Sequence, residues 1–201
     1  MLLLVGLGNP GKKYAGTRHN VGSMALDEII HHHKLSSPRA RSRPKGIFSD
    51  GVIGSTKILT LKPLTYMNES GKPVGETLRY WKLKPENVFV FHDEIDLPRG
   101  KIRAKLGGGD AGHNGLRDIT SHIGSDYWRV RIGVDHPGKH ENVSKYVLNE
   151  FKKSDQIWLS QTFNSIAEAL PMLLNGESSS FLTRVNIIEQ LPKPKISEIK
   201  T

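Results

Sequence analysis

The chain opens on an apolar run, Leu2-Leu3-Leu4-Val5, which breaks into the glycine-rich stretch Gly6-Leu7-Gly8-Asn9-Pro10-Gly11. A run that is apolar on both faces predicts a central parallel strand with helices covering both sides of the sheet. The stretch closes with Thr17-Arg18-His19-Asn20, so a histidine follows the strand closely. Because ligands of open α/β sheets bind beyond the carboxyl ends of the strands, we expect a functional crevice at this turn, with His19 in it.

Apolar spacing along the rest of the chain predicts a single-domain α/β fold. Strands are predicted at residues 2–7, 47–53, 57–61, 88–91, 101–106 and 129–134. Helices are predicted at residues 21–35, 69–83, 143–148, 155–174 and 181–188, and another follows the glycine-rich segment 107–115. Residues 36–45 carry two prolines and four basic residues and are predicted to form an exposed loop. Alternation in the last strand puts Arg129 and Arg131 on one face of the sheet, which we expect to be exposed.

The composition restricts the class of protein. The 201 residues are 36% hydrophobic, which is sufficient for a single core. Lysine and arginine outnumber aspartate and glutamate by 29 to 20, and the net charge of +9 favours an anionic partner such as nucleic acid or a membrane surface, although a basic protein without such a partner also fits. The chain has no cysteine, which excludes disulfides and a cysteine nucleophile. No apolar run approaches the ~20 residues of a membrane span, so we expect a cytoplasmic protein without a membrane partner.

The glycines of the opening stretch match the dinucleotide fingerprint G-x-G-x-x-G, which would suggest a nicotinamide or flavin enzyme. The context argues against that function. Pro10 and the polar residues 12–20 predict a loop where the fingerprint needs a helix. No second strand ends in an acid at the required distance either, because Asp27 and Glu28 lie in a predicted helix. We therefore expect no small-molecule cofactor.

Asp93 follows the second wholly apolar strand, residues 88–91, and would lie beside His19 if the two strands are neighbours. A carboxylate that accepts a hydrogen bond from one imidazole nitrogen fixes the tautomer and leaves the other nitrogen to take a proton. The chain contains neither a cysteine nor a G-x-S-x-G elbow, so a protein nucleophile lacks its usual setting. Water is the expected nucleophile, with His19 as its general base.

Three amide side chains lie just past predicted strands or in glycine-rich turns, namely Asn9, Asn68 and Asn114. Neutral amides can orient a carbonyl and a water molecule without shifting the pKa of the base. Each of them taken alone fits an ordinary turn or cap residue. Convergence of all three on one crevice would favour the functional interpretation.

Two other functions stay open on the residues alone. His92, Asp93, Glu94 and Asp96 could form the Mg²⁺ or Mn²⁺ site of a metal-dependent phosphoesterase, but strand alternation puts Asp93 opposite Glu94, so only part of the set can face one ion. The second open function is that of a basic α/β module that binds structured RNA without catalysis. Such a module would not need a pair formed by His19 and Asp93.

Six sequence blocks, in this order, closely resemble the bacterial-type peptidyl-tRNA hydrolase family. They are GLGNPG (6–11), Tyr14 with TRHNVG (17–22), PLTYMNESG (63–71), HDEIDLP (92–98), GHNGL (112–116) and RIG (131–133). The resemblance implies a monomeric α/β fold with a twisted mixed sheet flanked by helices. It also implies metal-independent hydrolysis of the ester between a peptide and the 3′ ribose of tRNA, which recycles tRNA from prematurely released chains. The expected partner is the acceptor region of peptidyl-tRNA.

Carried over by position, the resemblance makes His19 the catalytic base and Asp93 its orienting partner. It assigns a larger set to substrate binding: Asn9, Tyr14, Tyr66, Met67, Asn68 and Asn114. Lys105 and Arg131 correspond to a clamp on the 5′ phosphate of tRNA.

One departure from the family is Asp110-Ala111, where members often have a small residue or a histidine. An acid there would repel phosphate if it faced the groove. We further expect residues 1–190 to form the hydrolase-like domain and residues 191–201 to form a polar, basic, mobile tail.

Overall fold

The computed structural model describes residues 1–138 and 142–186, which form a seven-stranded mixed sheet between two layers of helices. The strands are β1 (Leu2–Gly6), β2 (Arg39–Ser42), β3 (Lys45–Ile53), β4 (Thr56–Pro63), β5 (Val88–Glu94), β6 (Ile102–Leu106) and β7 (Trp128–Gly133). The helices are α1 (Val21–His32), α2 (Gly71–Trp81), α3 (Asn114–Ile123), α4 (Val143–Val147), α5 (Gln156–Leu174) and α6 (Ser178–Asn186). The predicted α/β class with a mixed sheet is confirmed.

The strand order is β2-β3-β4-β1-β5-β7-β6, which puts the opening strand at the centre. It pairs in parallel with both β4 and β5, and β7 continues the parallel part beyond β5. β3 and β2 extend one edge antiparallel, and β6 closes the other edge antiparallel to β7. The carboxyl ends of β1, β4, β5 and β7 therefore meet along one edge of the sheet.

Side-chain alternation along the strands builds a core on each face of the sheet. Leu4 packs in the cluster that includes apolar residues of α1, α5 and α6. Leu3 and Val5 pack in the opposite cluster, which includes apolar residues of α2 and α3. All three side chains are fully buried, which explains why the opening run is apolar at every position.

The predicted loop at residues 36–45 is wrong in part, because Arg39–Ser42 forms the edge strand β2, paired antiparallel with β3. All four of its residues are exposed, so no apolar alternation marks it as a strand. Charged residues are common on edge strands because they discourage pairing with another chain.

The other predicted elements are confirmed within a few residues at each end. Helix α6 is described as far as Asn186, so the predicted continuation to residue 188 and the predicted tail 191–201 lie outside the described residues. No helix among the described residues is both long and apolar enough to cross a membrane.

Gly22 lets α1 contact the end of β5, and α1 begins directly after the turn that carries His19. A Cβ atom on Gly22 would overlap the carbonyl oxygen of Phe91 in β5. Any residue other than glycine at position 22 would therefore push the start of α1 away from the strand end that carries Asp93.

We predict that Gly22→Ala lowers the free energy of unfolding by about 1 to 3 kcal/mol, the usual cost of overpacking, even though alanine is the better helix former. Gly75→Ala is the matched control in α2, where the new methyl group meets side chains alone, at ordinary contact distances: the flexible end of Arg79 at 3.4 Å, His122 Cβ at 3.5 Å and Ile123 Cγ2 at 3.8 Å. That control should be neutral or stabilising by up to ~1 kcal/mol. Urea unfolding of both variants measures the difference, and equal losses would contradict the close-contact argument.

Candidate active site

His19 and Asp93 form a direct hydrogen-bonded pair at the carboxyl edge of the sheet. His19 lies in the 3₁₀ turn Arg18–Asn20, which follows β1, and Asp93 is the penultimate residue of β5. The Nδ1 atom of His19 is 2.9 Å from Oδ1 and 3.1 Å from Oδ2 of Asp93. The condition set by the sequence, that the two apolar strands are neighbours, is met by the parallel pairing of β1 with β5.

Burial and charge act in opposite directions on this pair. Burial lowers the pKa of His19, but the charge of Asp93 and its hydrogen bond raise it by more, so the pKa lies above the ordinary value of 6.5. Burial raises the pKa of the Asp93 carboxyl, but the neighbouring imidazoles lower it by more, and the group stays ionised. With its Nδ1–H donated to the carboxylate, His19 keeps Nε2 as its proton acceptor.

His113 is a second histidine on the same carboxylate, and the sequence reasoning missed it. Its Nε2 atom lies 3.0 Å from Oδ1 of Asp93, while its Nδ1 atom accepts a hydrogen bond from the backbone N–H of Leu116 at 3.3 Å. These two bonds require the tautomer with hydrogen on Nε2, so His113 donates to Asp93. Its position at the N-cap of α3, beside the predicted Asn114, was the signal that could have identified it.

The predicted metal set at residues 92–96 does not converge on one point. The buried His92 donates from Nδ1 to the backbone carbonyl of Asp93 at 2.8 Å, and burial lowers its pKa to about 3, so it is neutral. Glu94 accepts from the backbone N–H of Asp96 at 3.3 Å, and its other oxygen faces Arg131. Within the described residues, the group whose ligand atoms lie within 4.8 Å of one another is His19, Asp93 and His113. The contacts of this group are those of a carboxylate that orients two imidazoles.

Asn9 is fixed by three hydrogen bonds that leave its amide nitrogen available. Its Oδ1 accepts from the backbone N–H of Met67 at 2.8 Å. Its backbone N–H donates to Oδ1 of the buried Asn20 at 2.8 Å, and Nδ2 of Asn20 donates back to the carbonyl of Asn9 at 3.0 Å. Asn20 is therefore a positioning residue that the sequence reasoning did not select.

A crevice of about 470 Å³ opens at this edge of the sheet. All three predicted amides line it together with His19, Asp93 and Met67: Asn9, Asn68 and Asn114. Residues of α4 form another part of its wall. Tyr66 is 55% exposed and Tyr14 lies under the Lys13 ammonium group, and both stay outside the lining of the crevice.

The cations predicted to bind phosphate lie on β6 and β7, next to β5. Lys105 is exposed and stands opposite Arg129 in the antiparallel pair. Arg131 is half-buried, with its Nε 3.9 Å from Glu94 Oε2. The two predicted residues therefore share one face of the sheet, but Arg129, which alternation puts on the same face, is fully buried.

Asp110, the acid that departs from the family pattern, lines the crevice. Its carboxylate is already engaged, because Oδ1 accepts the backbone N–H of Gly112 at 2.8 Å and Oδ2 lies 3.5 Å from Nε of Arg117. The hydrogen bond from Gly112 and then the charge of Arg117 lower the pKa of this carboxyl. Arg117 partly compensates the negative charge that would repel phosphate.

These features define a class of protein: an α/β fold in which a histidine oriented by a buried carboxylate shares a crevice with three amides, beside a cationic strand face. Known proteins with this architecture were found by comparison. The sequence model of the family described as "Peptidyl-tRNA hydrolase" matches residues 3–195.

Relatives of that name are similar over nearly the whole chain. The peptidyl-tRNA hydrolase of Parvibaculum lavamentivorans is 50% identical over 202 residues, covering 98% of each chain. That of Azorhizobium caulinodans is 50% identical over 187 residues, covering 93% of this chain and 91% of the relative. The crystal structure of peptidyl-tRNA hydrolase from Acinetobacter baumannii superposes with a TM-score of 0.86 at 36% identity, covering 92% of this chain and 94% of the other. The chain belongs to the peptidyl-tRNA hydrolase family.

We predict that the His19 ring titrates above pH 6.5 in the unmodified protein and below pH 6.5 in Asp93→Asn, because the substitution removes the negative charge and leaves the burial that lowers the pKa. NMR titration of the histidine rings measures both values. His33 is the internal control, since it donates to the carbonyl of Ala167 at the far end of α1 and should titrate identically in both proteins. An unchanged His19 pKa in Asp93→Asn would contradict the electrostatic account.

Proposed function

We propose that this protein hydrolyses peptidyl-tRNA at the ester between the peptide and the 3′ ribose, and so recycles tRNA from prematurely released chains. The observation that carries the proposal is the His19–Asp93 pair at 2.9 Å, in a crevice that also contains three amides. Membership of the peptidyl-tRNA hydrolase family supplies the substrate class.

In the proposed reaction, Nε2 of His19 takes a proton from water as the water oxygen attacks the ester carbonyl carbon. The tetrahedral intermediate then collapses, the bond from carbon to the 3′ oxygen of the ribose breaks, and the imidazolium returns its proton to that oxygen. The products are a peptide carboxylic acid, which ionises at neutral pH, and tRNA with a free 3′ hydroxyl. Asp93 stabilises the imidazolium that exists between the two proton transfers, and His113 holds Asp93 in position.

Amide groups around the crevice are proposed to bind the substrate. The free Nδ2 of Asn9 donates to an oxygen of the substrate near the ester, and Asn68 holds the same region. Asn114 orients the attacking water. Met67 forms an apolar wall of the crevice, and the hydrogen bond from its backbone N–H to Asn9 holds it in place. Tyr14 and Tyr66 contact parts of the substrate beyond the ester.

Lys105 and Arg131 are proposed to bind the 5′ phosphate of the tRNA acceptor region. Support comes from their common face on β6 and β7, where Arg131 pairs with His92, the residue before Asp93 in β5, and from the net charge of +9. A phosphate held there would direct the 3′ end of the tRNA towards His19.

The remaining assignments are a single hydrolase domain through residue 190, action as a monomer in the cytoplasm, and catalysis without a metal ion or other cofactor.

We predict that His19→Ala lowers turnover of N-acetylaminoacyl-tRNA by about 10²- to 10⁴-fold, the usual contribution of a general base, while leaving tRNA affinity nearly intact. Single-turnover hydrolysis and a filter-binding assay measure the two quantities. His31→Ala, an exposed histidine in the last turn of α1, is the matched control and should behave as the unmodified protein. Loss of binding with residual turnover would contradict the assignment of His19 as the base.

Lys105→Ala and Arg131→Ala should each weaken tRNA binding and reduce the slope of log affinity against log salt by about 1, because each removes about one phosphate contact. Lys57→Ala removes the same charge at the exposed start of β4, at the opposite end of the strands, and should leave the slope unchanged. If the slope is unchanged in both test variants, the phosphate clamp is wrong.

A further inference from the structure

Arg129 is a fully buried cation without an anionic partner among the residues that the structure describes. The residue is 0% exposed and is the second residue of β7. Its Nη1 donates to the carbonyls of Ser125 at 3.0 Å and Tyr127 at 3.4 Å, and its Nη2 donates to Oγ1 of Thr120 at 3.4 Å. All these acceptors are neutral, the guanidinium lies over the Tyr127 ring with Cζ 4.0 Å from the ring centroid, Nε has no hydrogen-bond partner, and no carboxylate in residues 1–138 and 142–186 is ion-paired with it. Buried charges are normally paired, so this arrangement requires an explanation.

The register of β6 and β7 puts Arg129 within a group of four cations. Arg129 stands directly opposite Lys105, and Arg131 stands directly opposite Arg103. Because alternate residues of a strand share a face, all four side chains lie on the same side of the sheet. Like charges on directly opposed residues destabilise a sheet.

Few negative charges balance this group. The carboxylate of Glu94 lies 3.9 Å from Arg131 Nε. The carboxylate of Asp110 is paired with Arg117. Burial lowers the pKa of the Arg129 guanidinium, Tyr127 partly offsets that effect, and the charge of Arg131 lowers the pKa further, with a small opposing effect from Asp110. An arginine side chain nevertheless stays protonated at neutral pH. The face therefore carries a net positive charge that includes one cation no ligand can touch.

We propose that Arg129 is a specificity-determining residue that strengthens binding of a phosphomonoester dianion by Lys105 and Arg131 without contacting it. This inference rests on the proposed function. A buried charge is screened less by salt than an exposed one, so its field persists at the surface above it. A terminal phosphate carries close to two negative charges and an internal phosphodiester carries one, so the field of Arg129 favours a 5′-phosphorylated end over the rest of the tRNA backbone.

Arg129 also has a structural role that the test must separate from its charge. The carbonyl of Tyr127 accepts both Arg129 Nη1 and the backbone N–H of Gly107, the latter at 2.9 Å. Gly107 begins the glycine-rich segment, and a Cβ on the next residue, Gly108, would lie 3.5 Å from Nη2 of Arg131. Loss of the Arg129 side chain therefore affects the shape of the phosphate-binding face as well as its charge.

The test compares kcat/KM for N-acetylaminoacyl-tRNA that carries either a 5′ phosphate or a 5′ hydroxyl. Arg129→Gln removes the charge and keeps hydrogen-bond donors, whereas Arg129→Lys keeps the charge. The ratio of the two kcat/KM values should fall about three- to tenfold in Arg129→Gln, as expected for a charge ~10 Å from a partly screened anion, and should change less than twofold in Arg129→Lys. Arg39→Met removes one charge from β2, five strand spacings or about 24 Å away, and should leave the ratio unchanged.

Each other outcome has a definite meaning. Equal loss of kcat/KM on both substrates in Arg129→Gln, or the same fall of the ratio in Arg129→Lys, would overturn the inference and make the role of Arg129 structural. If Arg129→Gln does not fold, Arg129→Met replaces it as the neutral variant of similar length, with the same expected fall. Hydrolysis of neither substrate by the unmodified protein would instead refute the proposed function itself, and failure of the two proposals is thus distinguishable.

Discussion

The buried carboxylate of Asp93 is the group on which the rest of the site depends. It accepts hydrogen bonds from His19 at 2.9 Å and from His113 at 3.0 Å, at the end of a strand whose residues are all buried. An unpaired carboxylate there would cost several kcal/mol, and the two imidazoles offset that cost. Three separate parts of the fold must meet for this: the turn after β1, the end of β5 and the N-cap of α3. The parallel pairing of β1 with β5 and the glycine contact between α1 and β5 bring them together.

The proposed function divides chemistry and recognition between two neighbouring surfaces of the sheet. The crevice contains the Asp93 carboxylate and neutral amides around His19. The carboxylate stabilises the protonated imidazole, and the amides add no charge that would change the pKa of His19. The cations proposed to bind the tRNA phosphate lie on the neighbouring strands β6 and β7. Glu94 lies between the two regions, and its carboxylate faces Arg131 rather than the histidines.

Much of the fold and of the candidate site was predictable from the sequence. Continuous apolar runs marked β1 and β5 as buried central strands, and strand ends located His19, Asp93 and the three asparagines. Periodicity could not show which strands are neighbours, so the pairing of His19 with Asp93 stayed conditional. His113 was missed because a lone histidine in a glycine-rich segment has no distinguishing pattern until its partner is known. The burial of Arg129 was not expected because a charged residue that alternates with apolar ones is usually exposed. Strand β2 was missed for a different reason: all of its residues are exposed, so it has no apolar alternation.

The central claim is that His19, held by Asp93, is the base that activates water. The most direct test is the pH dependence of kcat/KM for N-acetylaminoacyl-tRNA in the unmodified protein and in Asp93→Asn, measured with enough enzyme to follow the slower variant. Since the base must be neutral, activity should fall as the pH drops through the pKa of His19, with a midpoint above 6.5 in the unmodified protein. That midpoint should move below 6.5 in Asp93→Asn and match the ring titration of His19 in each protein. An acid limb that stays at the same pH in both proteins would contradict the account.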